Sequence, residues 1–490
     1  MDEIKKENTE ISPQPQKEKL LTLSEFRREL GIPLVLAKKL IVWGEIEAVK
    51  AYDGTVRIAV TEVEIAKKII GTPLNKARLF VKALGPGLIT GAADDDPGGI
   101  GTCSSVGAAF GLSALWVIVW LLPVITAVQE VSARIGMVTN KGLAGVIKQH
   151  YNRKVLASVI TMLIVANIVN IGADLGAMAA SVGMFTNLNS DIIIIIFALF
   201  IILLEVIVKY HTYAKFLKFL TLSVFAYIIT GFLIHPHWLD VLKNTFIPRP
   251  IFSRDYLFAM IAVFGTTVTP YCFFWQASEE VEENKFLEQT HCKKTVLCDR
   301  IGHMRTDVYT GMFLANVVFY FIVLTAAEVL NSNGITNIQS ANEAALALAP
   351  LAGPYAAHLF ALGIIGAGLL AVPVLAGSGA YALTEMLNWK EGLDLKFSQA
   401  KGFYLVIISS IVFGVLFNFF HVNPIVALYY SAFLNGVIAI PLMYLIMKIG
   451  DDPEIMGQEC HPKWVKFFGW LAVVVMFFAI MTMLVLQFMK

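Results

Sequence analysis

An all-α polytopic membrane protein is the fold class this sequence predicts: eleven spanning helices, the first and sixth of them broken, behind a small soluble N-terminal domain. Three observations predict it. The 490 residues are 57% hydrophobic and 15% charged, with mean hydropathy +0.68, where soluble domains carry roughly a quarter charged residues. Eleven apolar runs follow one another from residue 83 onward, each near the roughly 20 residues that a bilayer crossing needs. Two of those runs, five apart, are interrupted by Pro and Gly.

The bulk numbers exclude other classes. With 38 basic and 37 acidic residues the chain makes no case for nucleic-acid binding as a whole. Cys103, Cys272, Cys292, Cys298 and Cys460 form no regular disulfide framework. Met1 to Lys19 is polar and lacks an apolar core, so the first membrane helix is expected to act as the insertion signal.

In order along the chain, residues 1–18 read as a disordered tail with Pro13 and Pro15. Residues 19–75 read as a small cytosolic α/β domain. Leu21-Thr22-Leu23-Ser24-Glu25 opens a capped helix, Gly31-Ile32-Pro33 turns, and Val35 to Val42 forms a second helix. Gly44 to Val49 and Val56 to Val60 alternate around Asp53-Gly54 as a hairpin, and Thr61 to Ile70 closes with a third helix. This order resembles the winged helix-turn-helix of excisionase and MerR-type proteins. A cytosolic accessory or protein-contact role is favoured over DNA binding, because the domain is tethered to a membrane body.

The transmembrane domain, 83–490, carries its apolar segments at 83–108, 113–135, 155–184, 191–209, 215–234, 256–277, 307–330, 355–387, 402–420, 424–448 and 464–488. Links after the second, fourth, sixth, eighth and tenth segments hold most of the Lys and Arg, including Arg134, Lys141, Lys148, Arg153 and Lys154. The link with Lys243, Arg249 and Arg254 is the one dissent. The positive-inside rule then places the N-terminus in the cytoplasm and the C-terminus outside, with the cell (inner) membrane as the location.

The first segment holds Ala92-Ala93-Asp94-Asp95-Asp96-Pro97-Gly98-Gly99. Ionised carboxylates at the bilayer centre cost several kcal/mol, so they must face protein, water or a cation. Pro97, Gly98 and Gly99 break the helix there and free carbonyls beside the acids. The sixth segment holds Gly265-Thr266-Thr267-Val268-Thr269-Pro270-Tyr271. Five segments later is an odd number, so the two broken helices run in opposite directions. Paired interruptions in inverted halves point to a midplane transport site. Asp96 is the first choice as ion ligand, with Asp95 and Asp94 beside it; lining an aqueous vestibule is the bland alternative. Thr266 and Thr269 offer hydroxyls, although threonines in membrane helices also bond to their own preceding turn. The expected shell is oxygen-rich, and suits Mg²⁺, Mn²⁺ or Ca²⁺.

Elsewhere, Asn167, Asn170 and Asp174 share one helical face in the third segment. They form a water or proton path, or else interhelical hydrogen bonds; Asp174 favours the path. Asn316 and Asn435 read as structural glue, with Asn435 also a candidate on the ion path. Glu279, Glu280, Glu282 and Glu283 either attract cations at a mouth or form a solvated helix end. His291, Cys292, Cys298 and His303 match no zinc spacing.

These residues resemble the NRAMP family of divalent-metal transporters, which carries a DPGN motif in its first helix and an MPH motif in its sixth. The matching positions are Asp96-Pro97-Gly98-Gly99 and Thr269-Pro270-Tyr271, supported by Gly85-Pro86-Gly87 and by Gln129, Arg134-Ile135-Gly136 and Thr139. The resemblance implies the amino-acid/sodium-symporter fold: two inverted five-helix repeats plus one helix. It also implies that Asp96 binds metal and that Ala93 and Thr266 donate backbone carbonyls. Gly99 stands at the position of the family's ligand Asn, Thr269 at its Met, and Tyr271 at its proton-linked His. Asp174 matches the third-helix acid, while Ala177 stands where the family has a second.

Losing Met and Asn resembles the NRAMP-related magnesium transporters, and is expected to widen the site so that Mg²⁺ keeps waters. The expected function is secondary-type transport of Mg²⁺, and of Mn²⁺, into the cytoplasm without tight proton coupling. The chain is expected to be no enzyme and to use no cofactor beyond its transported ion; its partners are the metal ion and the bilayer, with no nucleic acid. The alternatives are a proton-coupled Mn²⁺/Fe²⁺ symporter, a sodium-coupled organic-solute symporter, and a membrane-tethered ion sensor.

Overall fold

In hydrocarbon every backbone N–H and C=O needs an internal partner, and a chain this apolar answers by becoming helical. The structure is a computed structural model and describes residues 20–32, 36–37, 40–41, 45–50, 56–72, 75, 85–208, 225–251, 253–289, 297–393, 395–420, 422–457 and 461–488. The chain forms two units: 1–84 with 286–303, and 85–285 with 304–490.

The first unit holds strand β1 (Leu20–Thr22), helix α1 (Leu23–Leu30), strands β2 (Val49–Lys50) and β3 (Val56–Ala59), and helix α2 (Val60–Ile70). The sheet runs β1-β3-β2, antiparallel throughout, with Leu21 opposite Ile58 and Val49 opposite Arg57. Thr22 caps α1 in a capping box with Glu25. Phe26, Leu36, Leu40, Ile58 and Val63 form its core. Leu21 belongs to a strand rather than to the expected helix, since pairing with Ile58 buries its side chain. Asp53-Gly54, Pro33 and the 1–18 tail lie outside the described residues, as do His291 and Cys292.

The second unit is helical. Its elements are α3 (Pro86–Asp94), α4 (Pro97–Phe110), α5 (Leu115–Thr139), α6 (Leu143–His150), α7 (Arg153–Gly183), α8 (Ser190–Ile207), α9 (Ala226–Leu233) and α10 (Trp238–Phe246). They continue with α11 (Arg254–Thr267), α12 (Pro270–Gln289, of which 286–289 fall in the first unit), α13 (Leu297–Thr325, of which 297–303 fall in the first unit), α14 (Ala356–Leu387), α15 (Lys401–Asn418), α16 (Pro424–Gly450) and α17 (Lys463–Phe488). Polar caps set several boundaries: the side chains of Asn152, Asn189, Ser253 and Asn423 accept from first-turn amides of α7, α8, α11 and α16.

Nine stretches among the described residues are long and apolar enough to cross a membrane. Pro97–Thr139 joins the second half of the first predicted segment to the second. The predicted fifth segment, 215–234, falls partly on residues outside the described set, and only Ala226–Leu233 of it is seen as helix. The other predicted segments coincide with helices to within a turn, except that helix extends well beyond the sixth at its end (α12) and before the seventh at its start (α13).

Two devices fix the half-helix α3. The Asp307 carboxylate on α13 accepts from the Gly85, Gly87 and Leu88 amides at 3.0, 2.7 and 3.1 Å, so its charge meets the positive end of the half-helix. Along the flank, a Cβ placed on Gly91 would stand 2.4 Å from the Gly311 carbonyl oxygen, so backbone meets backbone there.

Candidate metal site

A proline carries no N–H, so the carbonyl four residues before it loses its helical partner. Pro97 thereby frees the Ala93 carbonyl, and Pro270 frees that of Thr266. The first break spans Asp95 (φ −74°, ψ 44°) and Asp96 (φ −72°, ψ 169°) between α3 and α4. The second spans Val268 and Thr269 between α11 and α12.

The breaks meet. Thr269 Oγ1 donates to Asp94 Oδ1 at 3.1 Å. The Tyr271 hydroxyl lies 3.0 Å from the Ala93 carbonyl oxygen and 3.3 Å from Asp96 Oδ2. Asp96 also caps α4, its Oδ1 accepting from the Gly99 amide at 2.6 Å. On α7, Asp174 is a further buried acid within electrostatic reach of Asp96. Asp94, Asp95, Asp96, Asp174, Thr266, Thr269 and Tyr271 are all buried. Asp94 Oδ2, Asp95 Oδ1 and Asp174 Oδ2 have no hydrogen-bond partner among the described residues. Unpaired carboxylate oxygens on adjacent Asp94 and Asp95, with another on Asp174 of α7, favour a divalent cation, which offsets their mutual repulsion and desolvation. Among the described residues no three His, Cys, Asp or Glu side chains already converge on one point.

The structure brings Ala93, Asp96, Thr269, Tyr271 and Asp174 together. At Gly99 the backbone amide is engaged, donating to Asp96. The structure departs from the sequence reading in four places. Asp94, not Asp95, is the carboxylate hydrogen-bonded to the sixth-helix break. Sulfur is present after all, since the Cys272 thiol lies 3.8 Å from Asp94 Oδ1. Glu279 and Glu280 are buried rather than forming a solvated helix end, and Glu280 accepts from Gln276 at 2.9 Å. Asn167 donates to the Leu375 carbonyl and Ser378 on α14, an interhelical tie rather than a path.

Asn170 and Asn435 are buried with unpaired Nδ2 and Oδ1 atoms among the described residues, and no hydrogen bond there joins them to the aspartates. Asn316 donates to the Ile118 carbonyl at 2.9 Å, as expected of structural glue. Sequence reasoning missed the buried polar network beneath the site. Thr90 donates to Gln276 at 2.6 Å, and Gln129 donates to the Cys272 carbonyl at 3.0 Å. Glu130 accepts from Arg134, Arg305 and Tyr309. The available signal was a glutamine, a glutamate and an arginine inside an apolar run.

Two broken helices in a helical membrane body, with acids on one break and hydroxyls on the other, define the class: a multi-pass transporter of ions. The chain belongs to the Nramp family, natural resistance-associated macrophage protein-like, whose profile matches residues 87–486. Members of that family are metal-ion transporters and not enzymes. The chain is 27% identical over 399 residues to a divalent metal cation transporter MntH of Klebsiella pneumoniae subsp. pneumoniae, covering 80% of this chain and 91% of that one. Its fold resembles the crystal structure of an Eremococcus coleocola manganese transporter at TM-score 0.66 and 19% identity, over 82% and 86% of the two chains. It also resembles Mhp1, a nucleobase-cation-symport-1 family transporter, at TM-score 0.50 and 13% identity, over 82% and 92%.

Proposed function

We propose that this protein carries divalent cations into the cytoplasm, Mg²⁺ first and Mn²⁺ as well, without obligatory proton coupling. The ion binds Asp96 and Asp94, the freed carbonyls of Ala93 and Thr266, and Thr269. The observation that carries this reading is the meeting of the two breaks, where Thr269 and Tyr271 reach Asp94, Ala93 and Asp96 across from the first helix. The Klebsiella relative, a divalent metal cation transporter, supports the ion class. Mg²⁺ is favoured because the Met and Asn positions hold Thr269 and Gly99, and hard oxygen donors suit an ion that dehydrates reluctantly. The body spans the cell membrane eleven times as two inverted five-helix repeats plus one helix, N-terminus inside and C-terminus outside. Residues 19–75 form a winged-helix-like cytosolic accessory domain.

A second reading, a proton-coupled Mn²⁺/Fe²⁺ symporter, is favoured by the Cys272 sulfur beside Asp94 and by the buried Asp174 within electrostatic reach of Asp96. Proteoliposomes loaded with a Mg²⁺-sensitive dye, with internal pH followed alongside, decide between them. Wild type is expected to take up Mg²⁺ with no organic solute present, and Asp96→Ala to lose that uptake. Equal rates for the two proteins sink the site, and stoichiometric acidification sinks the uncoupled reading. Absence of flux favours the sensor, and dependence on sodium and an organic solute favours the solute symporter.

A further inference from the structure

Position 99 is where the site has lost a side chain, and the vacated space is not open. A Cβ built on Gly99 would stand 2.5 Å from Cε1 and 2.7 Å from Cζ of Phe319, and 3.3 Å from the Asp94 carbonyl oxygen. Carbon atoms in contact rest at about 3.5–4.0 Å, so the ring edge already fills the direction in which a side chain at 99 would leave the backbone. Phe319 sits on α13 and is buried. The expectation that a glycine here widens the cavity therefore fails on this flank. The Phe319 ring carbons lie beside Gly99 on this flank, with the Asp94 carbonyl oxygen next to them.

We propose that Phe319 is a specificity-determining residue of the metal site. Its ring walls one side of the space bounded by Asp94, Asp96 and Gly99, and so limits the size of the ion–water complex that fits. The proposal rests on the reading above that these residues hold a divalent ion. Mg²⁺ takes six ligands at about 2.0–2.1 Å, whereas Ca²⁺ takes six to eight at about 2.3–2.6 Å and tolerates irregular shells. A fixed apolar wall penalises the larger, more crowded shell by excluding it, which is how one site discriminates between chemically similar ions.

The test compares the full-length wild type, Gly99→Ala, Phe319→Ala and the double variant in proteoliposomes with Mg²⁺ or Ca²⁺ as the only divalent ion. Phe319→Ala is expected to raise the Ca²⁺-to-Mg²⁺ rate ratio on the order of tenfold. Gly99→Ala is expected to lose Mg²⁺ uptake by a similar factor, and the double variant to regain it. An unchanged ion ratio in Phe319→Ala, wild-type behaviour of Gly99→Ala, or no rescue in the double variant each overturns the proposal. Should Gly99→Ala fail to fold, melting temperature and monodispersity read the same clash. Recovery in the double variant supports the contact, and no recovery overturns it. A wild type that moves neither ion overturns the transport reading itself, and the selectivity role with it.

Discussion

The two broken helices do the same geometric work with opposite chemistry. The first is built from three aspartates and two glycines around Pro97; the second has no charge near Pro270 and uses Thr269, Tyr271 and Cys272. Each frees one carbonyl by the same rule, yet only the first carries charge. The second holds that charge in place, with Thr269 on Asp94 and Tyr271 on Asp96 and Ala93. On the proposed reading, the difference divides ion attraction and ion positioning between the two breaks. Concentrating acids on one break avoids facing carboxylates across the gap, where repulsion would drive the halves apart.

Substitutions can break that division, and the charged side should show the largest effect. Asp96→Ala removes the proposed ligand and the cap of α4, so uptake should fall to background and folding stability should drop by about 1 kcal/mol, as cap losses do. Asp96→Asn retains much of the cap, and separates the two roles when both uptake and melting temperature are measured. Tyr271→Phe removes the hydroxyl shared by Ala93 and Asp96; a lost neutral hydrogen bond of about 1 kcal/mol predicts a several-fold weaker apparent Mg²⁺ affinity at similar maximal rate. Thr269→Val, nearly the same shape without the hydroxyl, should weaken affinity less, because Asp94 retains the Cys272 thiol nearby. An uptake rate for Tyr271→Phe as low as for Asp96→Ala would erase the distinction between attracting and positioning halves.

The smallest effect on uptake should come from His461, remote from both breaks and packed against Gly450. Burial, reinforced by Arg134, pushes its imidazole down to about 4 from an ordinary value of about 6.5. Between those values the unfolded chain binds a proton that the folded chain refuses, so stability rises with pH and is lost as pH falls from about 6.5 toward 4. The full span is worth up to about 3 kcal/mol. Melting curves from pH 7.5 to 4.5 should show His461→Leu with a shallower acid loss than wild type, and uptake at neutral pH should be unchanged. An equally steep acid loss in His461→Leu removes His461 from the account.

Spans and breaks were legible because hydropathy and proline act locally, and neither needs tertiary information. Which aspartate bonds to Thr269 in the sixth-helix break was not legible. Helical counting assumes about 100° per residue, and Asp95 and Asp96 leave helical angles altogether, so phase is reset between α3 and α4. Phe319 was hidden for another reason: a phenylalanine in an apolar run carries no mark of what it touches 220 positions earlier. Strand β1 was hidden likewise, since Leu20–Thr22 needs β3 to become a strand.

The glycine contact between α3 and α13 has a mechanical consequence. Gly91 and Gly311 meet as bare backbone, so this seam has no teeth: nothing along it must be lifted out of a socket before the half-helix rocks. Across this seam the Asp307 carboxylate holds three amides, while Thr90, Ala93 and Asp94 tie the half-helix to the sixth-helix side. The seam is thus a smooth bearing, and charge rather than interlocking side chains sets the seat of α3 against α13.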